Sequence, residues 1–265
     1  FAGLHPVVAV YATFLNRAYD QVLMDVALHQ QAVTIILDRA GITGDDGPSH
    51  NGMWDLALMR TVPGLAVAAP PDEPSLRGAI RDAIAINGPT VVRFPKGAVP
   101  EPIPILRSQG AVDVLSEYDG EGRVLVVGIG PMARTACDVA AALNAQGIGS
   151  RAVSATWVLP VSDDLTRMAA QADLVVHIED GIVEGGVGSA LRDALANAGA
   201  LIPVITHGIP RAFHHTSTRD ELVEEFQLRP SDIARTVAGH LASRMDDSDR
   251  TLLPHEASGE DGSNS

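Results

Sequence analysis

The sequence predicts an α/β protein with two consecutive three-layer α/β/α domains, each built on a parallel or mostly parallel sheet. Short apolar runs alternate along the chain with segments whose apolar residues recur every three or four positions. The runs are typical of strands buried on both faces, and the repeats are typical of amphipathic helices. With 265 residues, of which 46% are hydrophobic, the chain has enough material for two packed cores.

The first half is predicted to contain four strands, at residues 7–10, 33–37, 65–69 and 90–93. One helix follows Thr13. A second begins near Asp72, with an acidic N-cap and a proline in its first turn, and ends at Asn87-Gly88. A loop with four glycines lies between the second and third strands.

The second half repeats the alternation, with strands predicted at residues 124–127, 149–154, 174–178 and 202–206 and helices at residues 133–146 and 188–198. Thr218 and Glu221 form a capping box that opens a further helix, and Ser231 is expected to cap the last one. The resulting domain prediction is residues 1–97 and 123–245, joined by a linker at 98–122 that is rich in proline at its start. Residues 246–265 carry six acids against Arg250 alone and are expected to form a disordered tail.

Composition excludes several classes of function. The net charge is −14 and the pI is about 4.9, which is the wrong sign for binding nucleic acid through its phosphates. No apolar run approaches the ~20 residues of a membrane span. A single cysteine, Cys137, makes no intrachain disulfide, so we expect a cytoplasmic protein with no membrane and no nucleic-acid partner.

The loop at residues 38–52 is the strongest candidate for a functional site. It follows the carboxyl end of a predicted buried strand, where ligands bind in open α/β sheets. Arg39 supplies an anion-binding group, Asp46 a hydrogen-bond acceptor and His50 a proton-transfer group. The alternative is a turn-rich loop whose charges only face water, which is less favoured because so many polar groups converge at one strand end.

Within this loop the chain resembles the pyrimidine-binding domain of the transketolase superfamily of thiamine-diphosphate enzymes. The motif that carries the resemblance is Asp46-Gly47-Pro48-Ser49-His50. The preceding Asp38-Arg39-Ala40-Gly41 resembles the 1-deoxy-D-xylulose-5-phosphate synthase family more than transketolase itself. Further matching segments occur in the same order as in that family, at residues 11–21, 92–97 and 157–161.

The resemblance implies a role for each matching residue. The cofactor's aminopyrimidine ring would contact Tyr11, Phe14 and Arg17, with Phe14 stacking on it, although an aromatic residue at a helix start is often only a core residue. His50 would assist proton transfer, and Asp46 would orient the substrate or the loop.

The resemblance also implies that Arg39 and Lys96 hold the phosphate of the acceptor, glyceraldehyde 3-phosphate. Lysine stands at position 96 where the family more often has arginine, so the charge is kept but the bidentate fork is lost. Arg93 is the alternative phosphate ligand.

The reaction implied is a thiamine-diphosphate-dependent transfer, in which pyruvate loses CO2 and condenses with glyceraldehyde 3-phosphate in the first step of the non-mevalonate isoprenoid pathway. The family uses Mg²⁺ as well, and its enzymes are expected to be homodimers. The Gly-Asp-Gly motif of the magnesium site is not found in this sequence, and the activating glutamate is expected upstream of Phe1. The chain alone is therefore expected to hold no metal and to be inactive.

Two other functions remain open on the sequence alone. The chain could be the second subunit of a split transketolase or of a 2-oxoacid dehydrogenase type of enzyme, or it could be a non-catalytic interaction module. In the second half, residues 128–133 fit a dinucleotide-binding fingerprint, but the next strand brings no acidic residue for the ribose and Pro131 removes an amide. This half resembles the transketolase C-terminal domain, which is expected to pack and help dimerise.

Overall fold

A computed structural model of the chain describes residues 3–98 and 100–251, with side chains described up to residue 243. It contains two mostly parallel sheets with helices packed against them, which confirms the predicted fold class. Among the described residues there is no helix that is both long and apolar enough to cross a membrane.

The first sheet is formed mainly by the first half of the chain. Its elements are β1 (Val7–Tyr11), α1 (Ala12–Gln21), which continues as a π-helical segment (Val22–Ala27), β2 (Thr34–Ala40), α2 (Asp55–Met59), β3 (Ala66–Ala68), α3 (Glu73–Ala85) and β4 (Thr90–Pro95). The strand order is β1-β2-β4-β3, all parallel. As predicted, Asp72 caps α3, its carboxylate accepting a hydrogen bond from the backbone N–H of Ser75 at 3.0 Å.

The rest of the chain forms the second sheet and its helices, and it also supplies β9, which joins the first sheet. The elements of this half are β5 (Arg107–Gln109), β6 (Val112–Tyr118), β7 (Glu121–Gly128), α4 (Met132–Asn144), β8 (Ile148–Ser154), β9 (Trp157–Leu159), α5 (Asp163–Ala169), β10 (Leu174–Ile182), α6 (Val187–Asn197), β11 (Val204–Ile209), α7 (Arg219–Glu225) and α8 (Pro230–Thr251). The order is β11-β10-β7-β8-β6-β5, with β11, β10, β7 and β8 parallel and β6 and β5 antiparallel.

Three local features differ from the sequence prediction. The segment 98–122, expected as a linker, contains β5, β6 and the start of β7, because the alternating residues of β6 bury Val112 and Val114 against the second sheet. The last helix begins at Pro230, so Ser231 lies in its first turn rather than capping it. The same helix runs to Thr251, into the segment 246–265 predicted as a disordered tail, and residues 252–265 lie outside the described residues.

Each half of the chain contributes residues to the sheet or the core of the other half. β9 comes from the second half of the sequence but joins the first sheet, pairing antiparallel with β3 at Val67 and Leu159, both of which are buried. In the opposite direction, Ile42 and Met53 at the two ends of the glycine-rich loop pack into the core of the second sheet. The loop that was singled out from the sequence therefore lies where the two domains meet.

Candidate functional site

The carboxyl ends of three neighbouring strands bring the predicted site residues together. In the first sheet, Tyr11 at the end of β1 is paired with Asp38 of β2, and Ala40 at the end of β2 is paired with Pro95 of β4. Parallel strands end on the same edge of a sheet, so Arg39 and Lys96, which adjoin these paired residues, lie on one edge. This is the position at which open α/β sheets bind ligands.

The aromatic residues form one stacked group at the junction of β1 and α1. The rings of Tyr11 and Phe14 are stacked, with centroids 5.7 Å apart and an interplanar angle of 15°. His50 meets Phe14 edge-on, with centroids 5.9 Å apart. The Phe14 side chain is 52% exposed, so it retains free surface on which a flat heteroaromatic ring could stack.

The basic residues share one carboxylate. Asp46 accepts hydrogen bonds from Arg39 Nη1 at 3.1 Å and from Lys96 Nζ at 3.0 Å through its two different oxygens. The same ammonium group contacts Asp45 at 2.8 Å. The hydrogen bonds that Lys96 donates to Asp45 and Asp46 raise the pKa of Lys96, and the bond to Asp45 lowers the pKa of that carboxyl. Two cations thus converge on a single anionic group, in an arrangement that also suits a phosphate.

The loop that carries Asp46 and His50 is closed at its base. Gly41 and Gly52 exchange backbone hydrogen bonds of 2.9 and 2.8 Å, and the side chain of Asn51 accepts from the backbone N–H of Thr43 at 2.9 Å. Arg39, just before the loop, has φ +58°, a left-handed conformation that is uncommon for a residue other than glycine. Such strain persists only where surrounding contacts fix the backbone, and it often marks a functional site.

A side-chain hydrogen bond ties the loop to α1. Thr13 donates to the backbone carbonyl of Ser49 at 2.9 Å, and the hydroxyl of Ser49 lies 2.9 Å from Nδ1 of His50. These contacts hold the imidazole beside Phe14. The imidazole is partly exposed, which leaves it open to a bound molecule.

Six of the seven predicted site residues meet in this cluster, and the exception is Arg17. Arg17 lies exposed on α1, and among the described residues it has no hydrogen bond or ion pair. Arg93, the alternative phosphate ligand, is turned away from the cluster. Its side chain is 2% exposed, pairs with Asp55 at 2.7 Å and donates to the backbone carbonyl of Asp180 at 2.8 Å, so its guanidinium is not available to a ligand at the surface.

Sequence reasoning missed two residues that contact the loop from the second domain. Asp180 accepts a hydrogen bond from the backbone N–H of Ile42 at 3.1 Å, and Arg219 donates to the carbonyl of Ile42 at 2.7 Å. A signal was present in the sequence, because Glu179 and Asp180 are two carboxylates that directly follow the apolar run of β10. The sequence pattern did not indicate that Asp180 would contact Ile42, which is 138 residues away.

The cluster offers room for a small anionic molecule and no obvious metal site. A recess of about 280 Å³ adjoins the cations. It is lined by Arg39 and Lys96, by the carboxylates Asp38 and Asp72, and by several prolines and apolar groups from both domains, including Leu76, Phe94 and Pro131. Among the described residues there is no group of three or more His, Cys, Asp or Glu side chains placed to hold a metal ion. The arrangement therefore offers two cations, a half-exposed aromatic ring and an imidazole to a bound molecule.

Family models match both halves of the chain. The transketolase pyrimidine-binding domain matches residues 1–102, and the transketolase C-terminal domain matches residues 112–233. The segment 128–133, which fits the dinucleotide fingerprint but lacks the acidic residue that would support it, falls inside the second match. A Cβ at Gly128 would lie 2.5 Å from the carbonyl oxygen of Met132. The glycine therefore allows the backbone of this segment to pack closely against α4.

Curated relatives carry the name 1-deoxy-D-xylulose-5-phosphate synthase. Those from Rhodococcus erythropolis, Nocardia farcinica and Mycobacterium tuberculosis are 51%, 47% and 49% identical over 243, 250 and 244 residues. Each match covers 91% of this chain but only 38%, 40% and 38% of the relative. The chain therefore spans about two fifths of the length of these relatives.

Solved structures of transketolases also match the chain. A split-gene transketolase, described as an inactive β4 tetramer, is 30% identical, with a TM-score of 0.78 over 91% of this chain and 77% of its own. Transketolase from Campylobacter jejuni is 16% identical, with a TM-score of 0.73 over 89% of this chain and 36% of its own, and supports the fold alone. Taken together, the two family matches, the named relatives and the split-gene structure show that the chain belongs to the transketolase family and carries its pyrimidine-binding and C-terminal domains.

Proposed function

We propose that this chain provides the pyrimidine-binding and acceptor-phosphate part of a 1-deoxy-D-xylulose-5-phosphate synthase. The substrates would be pyruvate, which loses CO2, and glyceraldehyde 3-phosphate. The chain spans about two fifths of its curated relatives, so the diphosphate and Mg²⁺ of the cofactor would be held by residues other than those described. On its own the chain would be inactive.

The shared carboxylate of Asp46 is the observation that carries the proposal. It lies between Arg39 and Lys96 and takes one hydrogen bond from each. A phosphate presents oxygens of the same charge at comparable spacing, so the same two cations suit the phosphate of an aldose phosphate. The site also places this anion-binding pair beside the aromatic group, so a phosphorylated acceptor and a flat ring could lie next to each other.

The residues present fit one half of thiamine diphosphate. When bound, this cofactor supplies a nucleophilic carbon that adds to carbonyl groups and accepts the electron pair released by decarboxylation. Phe14 and Tyr11 would stack on its aminopyrimidine ring, with Arg17 at the rim. His50 would hold or move a proton at its imidazole beside that ring. Once the phosphate has replaced Asp46 as the partner of Arg39 and Lys96, the Asp46 carboxylate would orient the acceptor.

One feature of the sequence makes phosphate binding directly measurable, because Lys96 is the only lysine in the chain. Growth on ¹³C-labelled lysine labels Lys96 alone, and the shift of its Cε carbon reports on the ammonium group without altering it. We expect the Lys96 Cε signal to move with glyceraldehyde 3-phosphate and with inorganic phosphate, but not with unphosphorylated glyceraldehyde. Arg39→Gln should weaken this response. Arg77→Gln, which removes an exposed pair with Glu73, should not.

Two further experiments complete the test. Thiamine diphosphate with Mg²⁺ titrated calorimetrically into the chain alone should give no detectable heat, and micromolar binding would overturn the claim that the diphosphate site lies elsewhere. With the remaining part of a relative supplied, release of CO2 from pyruvate should appear, and His50→Ala should lower it at least 10²-fold, as is usual for a proton-transfer residue. Unchanged activity of His50→Ala would instead favour a non-catalytic interaction module.

A split-enzyme subunit is the second candidate. It is favoured by the split-gene transketolase, of which this chain covers 77%. The two candidates differ in the reading frame that contains Phe1. A continuous frame carrying Gly-Asp-Gly upstream excludes a split enzyme, and a separate neighbouring gene for that segment supports one.

A homodimer in the cytoplasm is the assembly we propose. Val7 and Val8 are exposed on β1, an edge strand of the first sheet, and Phe14 is exposed nearby, so an apolar surface is available for a second copy. The single cysteine suits a reducing compartment. Light scattering on the purified chain should give twice the monomer mass, and a monomeric mass would contradict the proposal.

A further inference from the structure

Just after the loop at residues 38–52, the carbonyl of Met53 accepts a hydrogen bond from the backbone N–H of Ile182 in the second domain at 3.1 Å. Within the loop, the residue most extensively bound by the second domain is Ile42. Its side chain is 2% exposed and packs into the core of the second sheet. Its backbone N–H donates to Asp180 Oδ1 at 3.1 Å, and its carbonyl accepts from Arg219 Nη1 at 2.7 Å. Both backbone groups and the side chain of Ile42 are therefore committed to the second domain.

Asp180 and Arg219 close a ring around this residue. Arg219 Nη2 contacts Asp180 Oδ2 at 2.9 Å, so the carboxylate and the guanidinium each make one bond to the backbone of Ile42 and one to each other. The Asp180 side chain is 2% exposed, and Arg219 is about one third exposed. Because the pair is largely shielded from water, its geometry is enforced more strictly than that of a surface ion pair.

The loop backbone lies so close to Asp180 and Arg219 that residues 41 and 44 have no room for a side chain. Gly41 has φ +77°, and a Cβ there would lie 2.2 Å from the Asp180 carboxylate. Gly44 also has φ +77°, and a Cβ there would lie 2.7 Å from the backbone nitrogen of Arg219. The glycines therefore allow the loop backbone to lie directly against the pair.

Asp180 and Arg219 are each held in place by further contacts, one of them to Arg93 of the first domain. The backbone carbonyl of Asp180 accepts from the buried Arg93 at 2.8 Å. Arg219 is the first residue of α7, whose start is fixed by the capping box of Thr218 and Glu221. A displacement of Asp180 or Arg219 would therefore displace Ile42. Ile42 is three residues from Arg39 and four from Asp46.

We propose that Asp180 and Arg219 are positioning residues, which act through Ile42 to hold Arg39, Asp46 and His50 in the arrangement that binds the acceptor phosphate. The proposal rests on the proposed function only in the identity of that ligand. Neither residue touches the substrate. The second domain thereby sets the affinity of a site whose ligand-binding side chains all lie in the first domain.

The test uses Arg219→Gln, Arg219→Lys and Asp180→Asn in the full chain. Arg229→Gln is the matched control, because it removes the same charge from an exposed pair with Glu224 between α7 and α8. Hydrogen exchange followed by mass spectrometry reports the amides of residues 41–52. We expect Arg219→Gln and Asp180→Asn to speed exchange there at least tenfold while α4 stays protected. Arg219→Lys should recover part of the protection, since lysine keeps the charge without the fork.

The second measurement is the dissociation constant for glyceraldehyde 3-phosphate, read from the ¹³C signal of the Lys96 Cε carbon. Arg219→Gln should raise it 5- to 30-fold, and Arg229→Gln should leave both measurements at the wild-type value. Wild-type exchange of residues 41–52 in Arg219→Gln and Asp180→Asn would overturn the proposal. So would faster exchange spread equally over α4, because that result indicates a general loss of stability.

The two proposals fail in different ways. If the unaltered chain does not bind glyceraldehyde 3-phosphate, the proposed function fails, while the exchange of residues 41–52 still decides whether Asp180 and Arg219 hold the loop. If the loop loosens but the dissociation constant does not change, the positioning proposal fails and the proposed function stands.

Discussion

The guanidinium carbon of Arg39 lies 4.2 Å from the centroid of the Tyr11 ring. Phe14 stacks on the same ring, so Tyr11 lies between the cation expected to bind phosphate and the aromatic surface expected to bind the pyrimidine. The contact also links the ends of β1 and β2, which are paired at Tyr11 and Asp38. A change at Tyr11 should therefore be detected at Arg39.

Replacing Tyr11 tests this link. Tyr11→Leu removes the cation–π contact, which is worth about 0.5–2 kcal/mol depending on exposure. The dissociation constant for glyceraldehyde 3-phosphate should then rise about 2- to 30-fold. Tyr11→Phe keeps the ring and should stay close to the wild-type value. Equal affinity in Tyr11→Leu and wild type would mean that the ring does not hold the guanidinium.

The site could be predicted from the sequence where it follows local rules. Arg39, Asp46 and His50 lie in one loop after a buried strand, and Tyr11 and Phe14 flank one strand-to-helix turn, so the position of each could be inferred from a single βα unit. Lys96 lies beside these residues because it follows β4, which is parallel to β2 and ends at the same edge of the sheet.

Contacts between the halves could not be predicted in this way. Asp180 and Arg219 meet Ile42 from 138 and 177 residues away, and nothing in the local pattern specifies such a pairing. The short strand β9 crosses into the first sheet for the same reason. Arg93 illustrates the opposite error, because its position after an apolar run favoured a ligand role, whereas Asp55, 38 residues earlier, neutralises it in the interior.

The ammonium of Lys96 should titrate at a higher pH than an ordinary lysine. Hydrogen bonds to Asp45 and then Asp46 raise its pKa above 10.5. Asp45→Asn should lower this pKa, as followed by the ¹³C shift of the Lys96 Cε carbon against pH. Asp193→Asn, which removes a distant exposed partner of Arg60, is the control and should leave the titration unchanged.

The sign of the accompanying stability effect follows from the raised pKa. The favourable contribution of Lys96 is fully present below the pKa of an unfolded lysine, near 10.4, and is lost as the pH rises through the higher folded value. The free energy of unfolding should therefore fall more steeply above pH 10.4 in the wild type than in Asp45→Asn. Identical slopes would argue against the Lys96–Asp45 bond in solution.

The buried pair of Arg93 and Asp55 should respond differently to single and double substitution. Both side chains are 2% exposed, so Asp55→Ala leaves an unpaired buried guanidinium and should cost about 3–5 kcal/mol. Asp55→Leu combined with Arg93→Met removes both charges and should cost less than either single change, because a buried ion pair can often be replaced by apolar residues. Urea denaturation of Asp55→Leu, Arg93→Met and the double variant measures the difference. Additive costs would contradict direct coupling of the two charges.

A histidine in the second domain should make stability depend on pH. His177 is fully buried, and among the described residues neither ring nitrogen has a hydrogen-bond partner. Burial, followed by the nearby positive charges of Arg192 and His207, lowers its pKa to about 3. Since the unfolded side chain binds a proton near pH 6.5, the contribution of His177 to stability is lost as the pH falls from about 6.5 toward 3.

Glu179, 3.7 Å from His177, should have the opposite slope in an overlapping range. Burial raises its pKa to about 7 even though it accepts hydrogen bonds from the backbone of Val187 and Gly188. The folded state therefore binds a proton that the unfolded state releases near pH 4.5, and stability falls as the pH rises from 4.5 toward 7.

Variants separate the two slopes. His177→Leu removes no hydrogen bond among the described residues and should be neutral or stabilising at pH 5. It should reduce the rise in stability up to pH 6.5 without abolishing it, because burial also lowers the pKa of His207. Glu179→Gln should reduce the fall in stability between pH 4.5 and 7, to which Asp55 also contributes because burial raises its pKa. Urea midpoints of both variants and the wild type, measured from pH 4 to 8, give the comparison. A His177→Leu profile that rises as steeply as that of the wild type up to pH 6.5 would show that another group causes the rise.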